Sequence, residues 1–158
     1  MTLPLHPPAL PRRRHILVGA TGLAMGVVLR PAYAAAGDLA VAVAAYTQGA
    51  PVRAGKVKLD IAELVDNGNV VPITVTVDSP MTAADHVKSI AVFNEKNPQR
   101  DVARFTLGPR AGKASVATRI RLATSQQLVA VAQMSDGSYW SHTANVIVTL
   151  AACIEGDP

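Results

Sequence analysis

The chain has 158 residues, with 15 Lys and Arg against 11 Asp and Glu, a formal charge of +4 and a hydrophobic content of 49%. This is the length of one domain, enough to bury roughly two-thirds of the surface that the unfolded chain exposes. A single cysteine excludes an internal disulfide framework, and an aromatic content of 4% points to an aliphatic core.

The charge is unevenly placed. Four of the fifteen basic residues (Arg12, Arg13, Arg14 and Arg30) lie within the first 34 residues, which hold no acid. The eleven that remain meet eleven acids, so the rest of the chain is formally neutral. A nucleic-acid partner, which calls for surplus Lys and Arg on one face, is therefore not expected. The arginine cluster precedes the apolar stretch HILVGATGLAMGVVL and the small-residue signature Ala32-Tyr33-Ala34. Charged, apolar and small-residue regions in that order predict an export signal over residues 1–34, cleaved near Ala34. Arg13 and Arg14, followed after one residue by two apolar ones, resemble the twin-arginine motif that delivers folded proteins to the periplasm. The apolar run is shorter than the roughly 20 residues of a spanning helix, so no membrane association is expected once the signal is removed.

Beyond the signal, a domain over residues 35–150 and an arm over residues 151–158 are expected. GDLAVAVAAYTQGA predicts one short helix, with Asp38 as its N-cap and Gly49 and Pro51 as its stop. Leu39, Val43 and Tyr46 then share its buried face. From Gly55 onward the hydrophobic period becomes two. Val71, Ile73, Val75 and Val77 point one way, and Thr74 and Thr76 the other. Pro72 has no N–H for a ladder, which places this strand at a sheet edge or at a bulge. KVKLDI, VKSIAVFN, ARFTL, SVATRIRL, QLVAVAQM and TANVIVTL add six more strands. Asp136-Gly137 marks a hairpin between the last two. The expectation is all-β: an immunoglobulin-like antiparallel β-sandwich of about seven strands with a short N-terminal helix.

The stretches GKVKLDIAELVDNGNVVPITVTVDSPMT, FNEKNP, LGPRAG, TRIRLA, MSDGSYW and VIVTL resemble the SoxY family. Members of that family are the sulfur-carrying subunits of the Sox thiosulfate-oxidation system. The likeness runs in order from about Val52 to Cys153. It implies a carrier that is not itself an enzyme and holds no cofactor or metal. It also implies a heterodimer with a SoxZ-like subunit. In such a system a haem-containing enzyme conjugates thiosulfate to the carrier's cysteine, a hydrolase releases sulfate, and a dehydrogenase oxidises the sulfane sulfur that remains. The attachment site carried over to this chain is Cys153. The family arm reads Gly-Gly-Cys-Gly-Gly, whereas here Ala151 and Ala152 precede the thiol and Ile154 and Glu155 follow it.

The residues themselves leave two readings of Cys153. A thiolate is the nucleophile and the species that takes up sulfur, and three residues past Leu150 it stands about 10 Å from the strand end. Free cysteine is also among the most buried residue types, acting as a small hydrophobe. The alternative function is thus a non-carrier periplasmic subunit that binds a SoxZ-like partner without thiol chemistry. Blue copper needs a close set of His and Met ligands around the thiol, and His142 stands eleven residues before it. Asp85-His86 reads as solvated loop residues, Arg119 and Arg121 equally as a solvated sheet face or a contact for an acidic partner, and Tyr139 and Trp140 as packing.

Overall fold

The structure, a computed structural model, describes residues 37–151. The expected signal (residues 1–34) and the arm beyond Ala151, with Cys153, lie outside the described residues.

Helix α1 (Asp38–Thr47) forms from the Ala-rich run. Its N-cap is Gly37, with no side-chain cap, which corrects the expectation for Asp38. Asp38 is instead the first helical residue. An acid suits that positive end of the helix, and its carboxylate meets Arg100 at 2.9 Å. The helix ends where Gln48 and Gly49 turn left-handed (φ 54° and 77°) and the Gly49 N–H donates to the Ala44 carbonyl at 2.9 Å.

Nine strands follow: β1 (Val52–Ala54), β2 (Val57–Asp60), β3 (Leu64–Asn67), β4 (Val71–Val77), β5 (Val87–Asn94), β6 (Asp101–Thr106), β7 (Ser115–Ile120), β8 (Gln126–Met134) and β9 (Tyr139–Leu150). They make a three-stranded sheet, β2-β4-β7, and a larger sheet ordered β1-β9-β8-β5-β6, with β3 also paired to β9. The seven expected strands are present and form antiparallel ladders. The two additional ones, β1 and β3, pair in parallel with the first and last parts of β9. Runs of three and four residues with a partner some eighty positions away leave no alternation to read.

The sandwich core lies between the sheets. Val57, Leu59, Val71, Ile73, Val75, Val77 and Ile120 from the small sheet meet Ile90, Val92, Leu128, Ala130, Ala132 and Val146 from the large one. On β4 the expected alternation holds throughout, with all four of its inward-facing aliphatics buried. This strand is central, however, which corrects the edge assignment made from Pro72. β2 stops at Asp60, opposite Thr74, so no β2 residue stands beside Pro72; only Arg119 of β7 does. The missing N–H thus interrupts no β2 ladder bond.

β5 is buried on both faces. Ala91 and Phe93 join Val131 and Tyr139 in a second core on the other side of the large sheet, covered by Leu39, Ala42, Val43 and Tyr46 of α1. The Tyr46 ring packs tilted against Phe93 (centroids 5.7 Å apart) and edge-on against Tyr139 (5.9 Å), and its hydroxyl lies 2.7 Å from Ser89 Oγ. Burial holds the Tyr46 phenol above its ordinary range, outweighing the hydrogen bond with Ser89. A raised folded-state value means that folding favours the neutral form. That contribution is complete at neutral pH and is lost as pH rises through the phenol range and past it. Tyr46→Phe is therefore expected to unfold less steeply with alkali than the wild type, read by far-ultraviolet circular dichroism along a pH series. Equal alkaline profiles would contradict the assignment.

The β8–β9 hairpin turns at Asp136-Gly137 as expected, with Gly137 at φ 84°. Asp136 accepts from the Ser138 hydroxyl at 2.7 Å and the Ser138 N–H at 2.8 Å. These bonds lower its pKa.

Candidate functional site

The candidate site is the place where the chain leaves the sandwich towards Cys153. β9 ends at Leu150 as the sequence indicates, so the thiol stands three residues beyond the last strand residue and reaches at most about 10 Å from it.

This exit is held from both sides. On one side β3 pairs with β9 through Leu64↔Ile147, Val65↔Val148 and Asn67↔Leu150. The Ile147 N–H donates to the Glu63 carbonyl at 2.8 Å, and the Thr149 hydroxyl to the Asp66 carbonyl at 3.1 Å. On the other side β8, which starts at Gln126 opposite Val146, does not reach this far, and a side chain substitutes for it. Ser125 Oγ accepts from the Val148 N–H at 2.9 Å and lies 3.4 Å from the Val148 carbonyl. The Leu150 carbonyl accepts from the Gly68 N–H, and the Gly68 carbonyl from the Leu122 N–H, both at 2.8 Å. These bonds tie the end of β9, through Gly68, to the chain just past β7.

The loop before β8 is fixed by Asn97. Its Oδ1 accepts from the Ala123 N–H (3.0 Å) and Gln126 Nε2 (2.7 Å), and its Nδ2 donates to the Arg121 carbonyl (2.8 Å). Gln126, 5% exposed, in turn accepts from the Lys96 N–H at 2.8 Å. From sequence, Asn97-Pro98 signals only a turn. Its role as the peg between two loops depends on a contact 29 residues away, for which no local pattern exists.

The other chemistry-bearing residues do not gather here. Asp85 and His86 sit in the loop before β5, where the His86 N–H donates to Ser135 Oγ and the Asp85 N–H to Thr82 Oγ1. That end of the sandwich is removed from the exit by most of the length of β9, on the order of 30 Å. Trp140 is half-buried between Arg53 (5.7 Å) and Lys56 (5.3 Å), a surface cation–π group, while Tyr139 is buried. Arg119 and Arg121 are exposed and make no ion pair among the described residues. His142, at the middle of β9, accepts on Nδ1 from the Leu59 N–H at 3.2 Å and so links the two sheets. Among the described residues no three His, Cys, Asp or Glu side chains converge as metal ligands.

Comparisons with known proteins agree with this architecture. The family described as "Sulfur oxidation protein SoxY" matches residues 43–153, a span that closes on Cys153. The solved sulfur carrier protein SoxY from Chlorobium limicola f thiosulfatophilum is 31% identical, with a TM-score of 0.59, covering 71% of this chain and 96% of that one. Superoxide reductase (neelaredoxin) from Ignicoccus hospitalis is 20% identical with a TM-score of 0.53, covering 60% of this chain and 80% of its own. The superoxide reductase of Nanoarchaeum equitans is 13% identical with a TM-score of 0.51, covering 61% and 100%. These last two likenesses concern the fold alone. No curated protein matches the chain. The family match spans well over half of the chain, from α1 through every strand to the thiol, and the chain belongs to the SoxY family.

Proposed function

We propose that this chain is a covalent sulfur carrier of a Sox thiosulfate-oxidising system, working in the periplasm after export and cleavage near Ala34, with Cys153 as the attachment site. The observation that carries the reading is the family match that runs unbroken to Cys153. It is supported by the position of that residue, beyond the last strand and on a short tether.

The chemistry needs only a thiolate here. The Cys153 thiolate joins the sulfane end of thiosulfate, forming one S–S bond and releasing two electrons to the haem-containing partner. The product is Cys–S–S–SO₃⁻. Hydrolysis by the second partner cleaves the bond between sulfane sulfur and sulfonate. Water supplies the oxygen, sulfate and two protons leave, and a persulfide anion stays on Cys153 for the dehydrogenase. The chain catalyses none of these steps. It contributes a nucleophilic sulfur and a rigid body, and a SoxZ-like subunit completes the heterodimer. The non-carrier reading draws on Ala151, Ala152, Ile154 and Glu155, which replace the family's glycines. Alanine narrows the arm's conformational range but leaves the thiol in place.

Alkylation separates the two readings. Protein treated with iodoacetamide and then supplied with thiosulfate and the purified partner enzymes is expected to release no sulfate, while still binding the SoxZ-like subunit. Undiminished sulfate release from the alkylated protein would overturn the carrier reading.

A further inference from the structure

Among the described residues five large hydrophobic side chains are strongly exposed, and four of them surround the exit of the arm: Leu64 (59%), Val70 (59%), Ile147 (59%) and Leu150 (62%). Val41, on α1, is the fifth. The pattern within β9 makes the concentration specific. Its solvent-facing series near the exit runs Thr143, Asn145, Ile147, Thr149, so Ile147 is the one apolar side chain in a polar row. Its Cα partner across the parallel ladder is Leu64, likewise on the solvent side of a strand whose next residue, Val65, is buried. Leu150 lies on the opposite face of β9 from Ile147, and Val70 is in the turn that follows the Gly68 contact with Leu150. The root of the arm is thus apolar on both faces of its strand, with the exposed acids Glu63 and Asp66 beside Leu64.

The tether length decides what can cover this surface. A thiol about 10 Å from Leu150 cannot enter a recessed active site unless the rim of that site comes against the end of the sandwich. We propose that Leu64 and Ile147, with Leu150 and Val70, form a docking collar for the rim of the sulfate-releasing hydrolase that acts on Cys153. The complementary rim is apolar, with basic residues at the margin that meets Glu63 and Asp66. This inference rests on the carrier reading. It adds that recognition resides in the sandwich at the root of the arm. Exposed apolar groups set close together and rimmed by polar ones are the ordinary mark of a contact surface, and a few such anchors carry most of the binding.

The test uses the exported protein with its SoxZ-like subunit, its thiol loaded with thiosulfate, and the purified sulfate-releasing hydrolase as probe. The Leu64→Lys/Ile147→Lys double variant places polar groups where the strand already alternates polar residues, so its melting temperature is expected to stay at the wild-type value. Its kcat/KM for sulfate release is expected to fall at least about tenfold, mainly through KM, while iodoacetamide alkylates Cys153 of the unloaded variant at the wild-type rate. Val41→Lys is the exposed-apolar control and is expected to change nothing. Unchanged kcat/KM in the double variant overturns the proposal. So does a loss confined to self-association, which assigns the patch to a second copy, or a loss of the SoxZ-like subunit, which assigns it to that permanent contact. No sulfate release even from the wild type would refute the carrier reading itself, and the docking inference with it.

Discussion

Cys153→Ser is expected to reduce thiosulfate-dependent sulfate release to background without lowering the melting temperature. The loss is total for a chemical reason. A serine hydroxyl at neutral pH is neither ionised nor able to form a sulfur–sulfur bond, and the chain contains no other thiol to take over. The fold is expected to be spared for a structural reason, since β9 ends at Leu150 and, among the described residues, both hydrophobic cores are built from the sheets, their loops and α1, with no member beyond Val148. A cysteine that served only as packing would give the opposite pair of results, lower stability and intact turnover. Measuring both quantities on one variant therefore distinguishes handle from filler.

Phe93→Ala is expected to be the most damaging change to the fold. Phe93 is fully buried, and it is the ring on which α1 rests through Tyr46 at 5.7 Å. Truncating a buried phenylalanine costs about 3–5 kcal/mol from lost transfer energy and the cavity left behind. Set against a total stability of about 5–15 kcal/mol for such domains, this leaves a marginal protein. Urea denaturation measures it directly. Val41→Ala, on the exposed side of the same helix, is expected to stay within about 0.5 kcal/mol of wild type. A Phe93→Ala cost below about 1 kcal/mol would show that the helix layer is not held by this core.

The fold was largely legible because most of its strands are long enough to state their period. In β4, Val71, Ile73, Val75 and Val77 face inward with Pro72, Thr74 and Thr76 between them, and burial follows residue by residue. The family's turn and strand segments supplied the rest. What stayed hidden depended on partners distant in sequence. Pro72 pointed to an edge because its missing N–H is a local fact, whereas the end of β2 at Asp60 is a tertiary one. β1 and β3 were invisible because parallel pairing to β9 leaves no hairpin signal and too few residues to alternate. Asp38 met the composition rule for a cap, but the chain enters the helix through Gly37, and the carboxylate serves Arg100 instead.

The candidate site divides the same way. Cys153 stands out in the sequence because it is single and follows the last strand. The apparatus that fixes the strand end does not. Ser125 substitutes for a strand, and Asn97 joins two loops, only after the sheets are assembled. Leu64 and Ile147 look like ordinary strand residues until the register sets them side by side on the solvent face. The arm AACIEGDP keeps one glycine, Gly156, where the family's arm has glycines on both sides of the thiol.

The central claim is that Cys153 carries sulfur during turnover. Intact-mass spectrometry of the protein purified from thiosulfate-grown cells, followed by peptide mapping, tests it most directly. Sulfane and thiosulfonate adducts are expected on the peptide containing Cys153, removed by a thiol reductant and absent from Cys153→Ser. An unmodified thiol in cells that are actively oxidising thiosulfate would contradict the account.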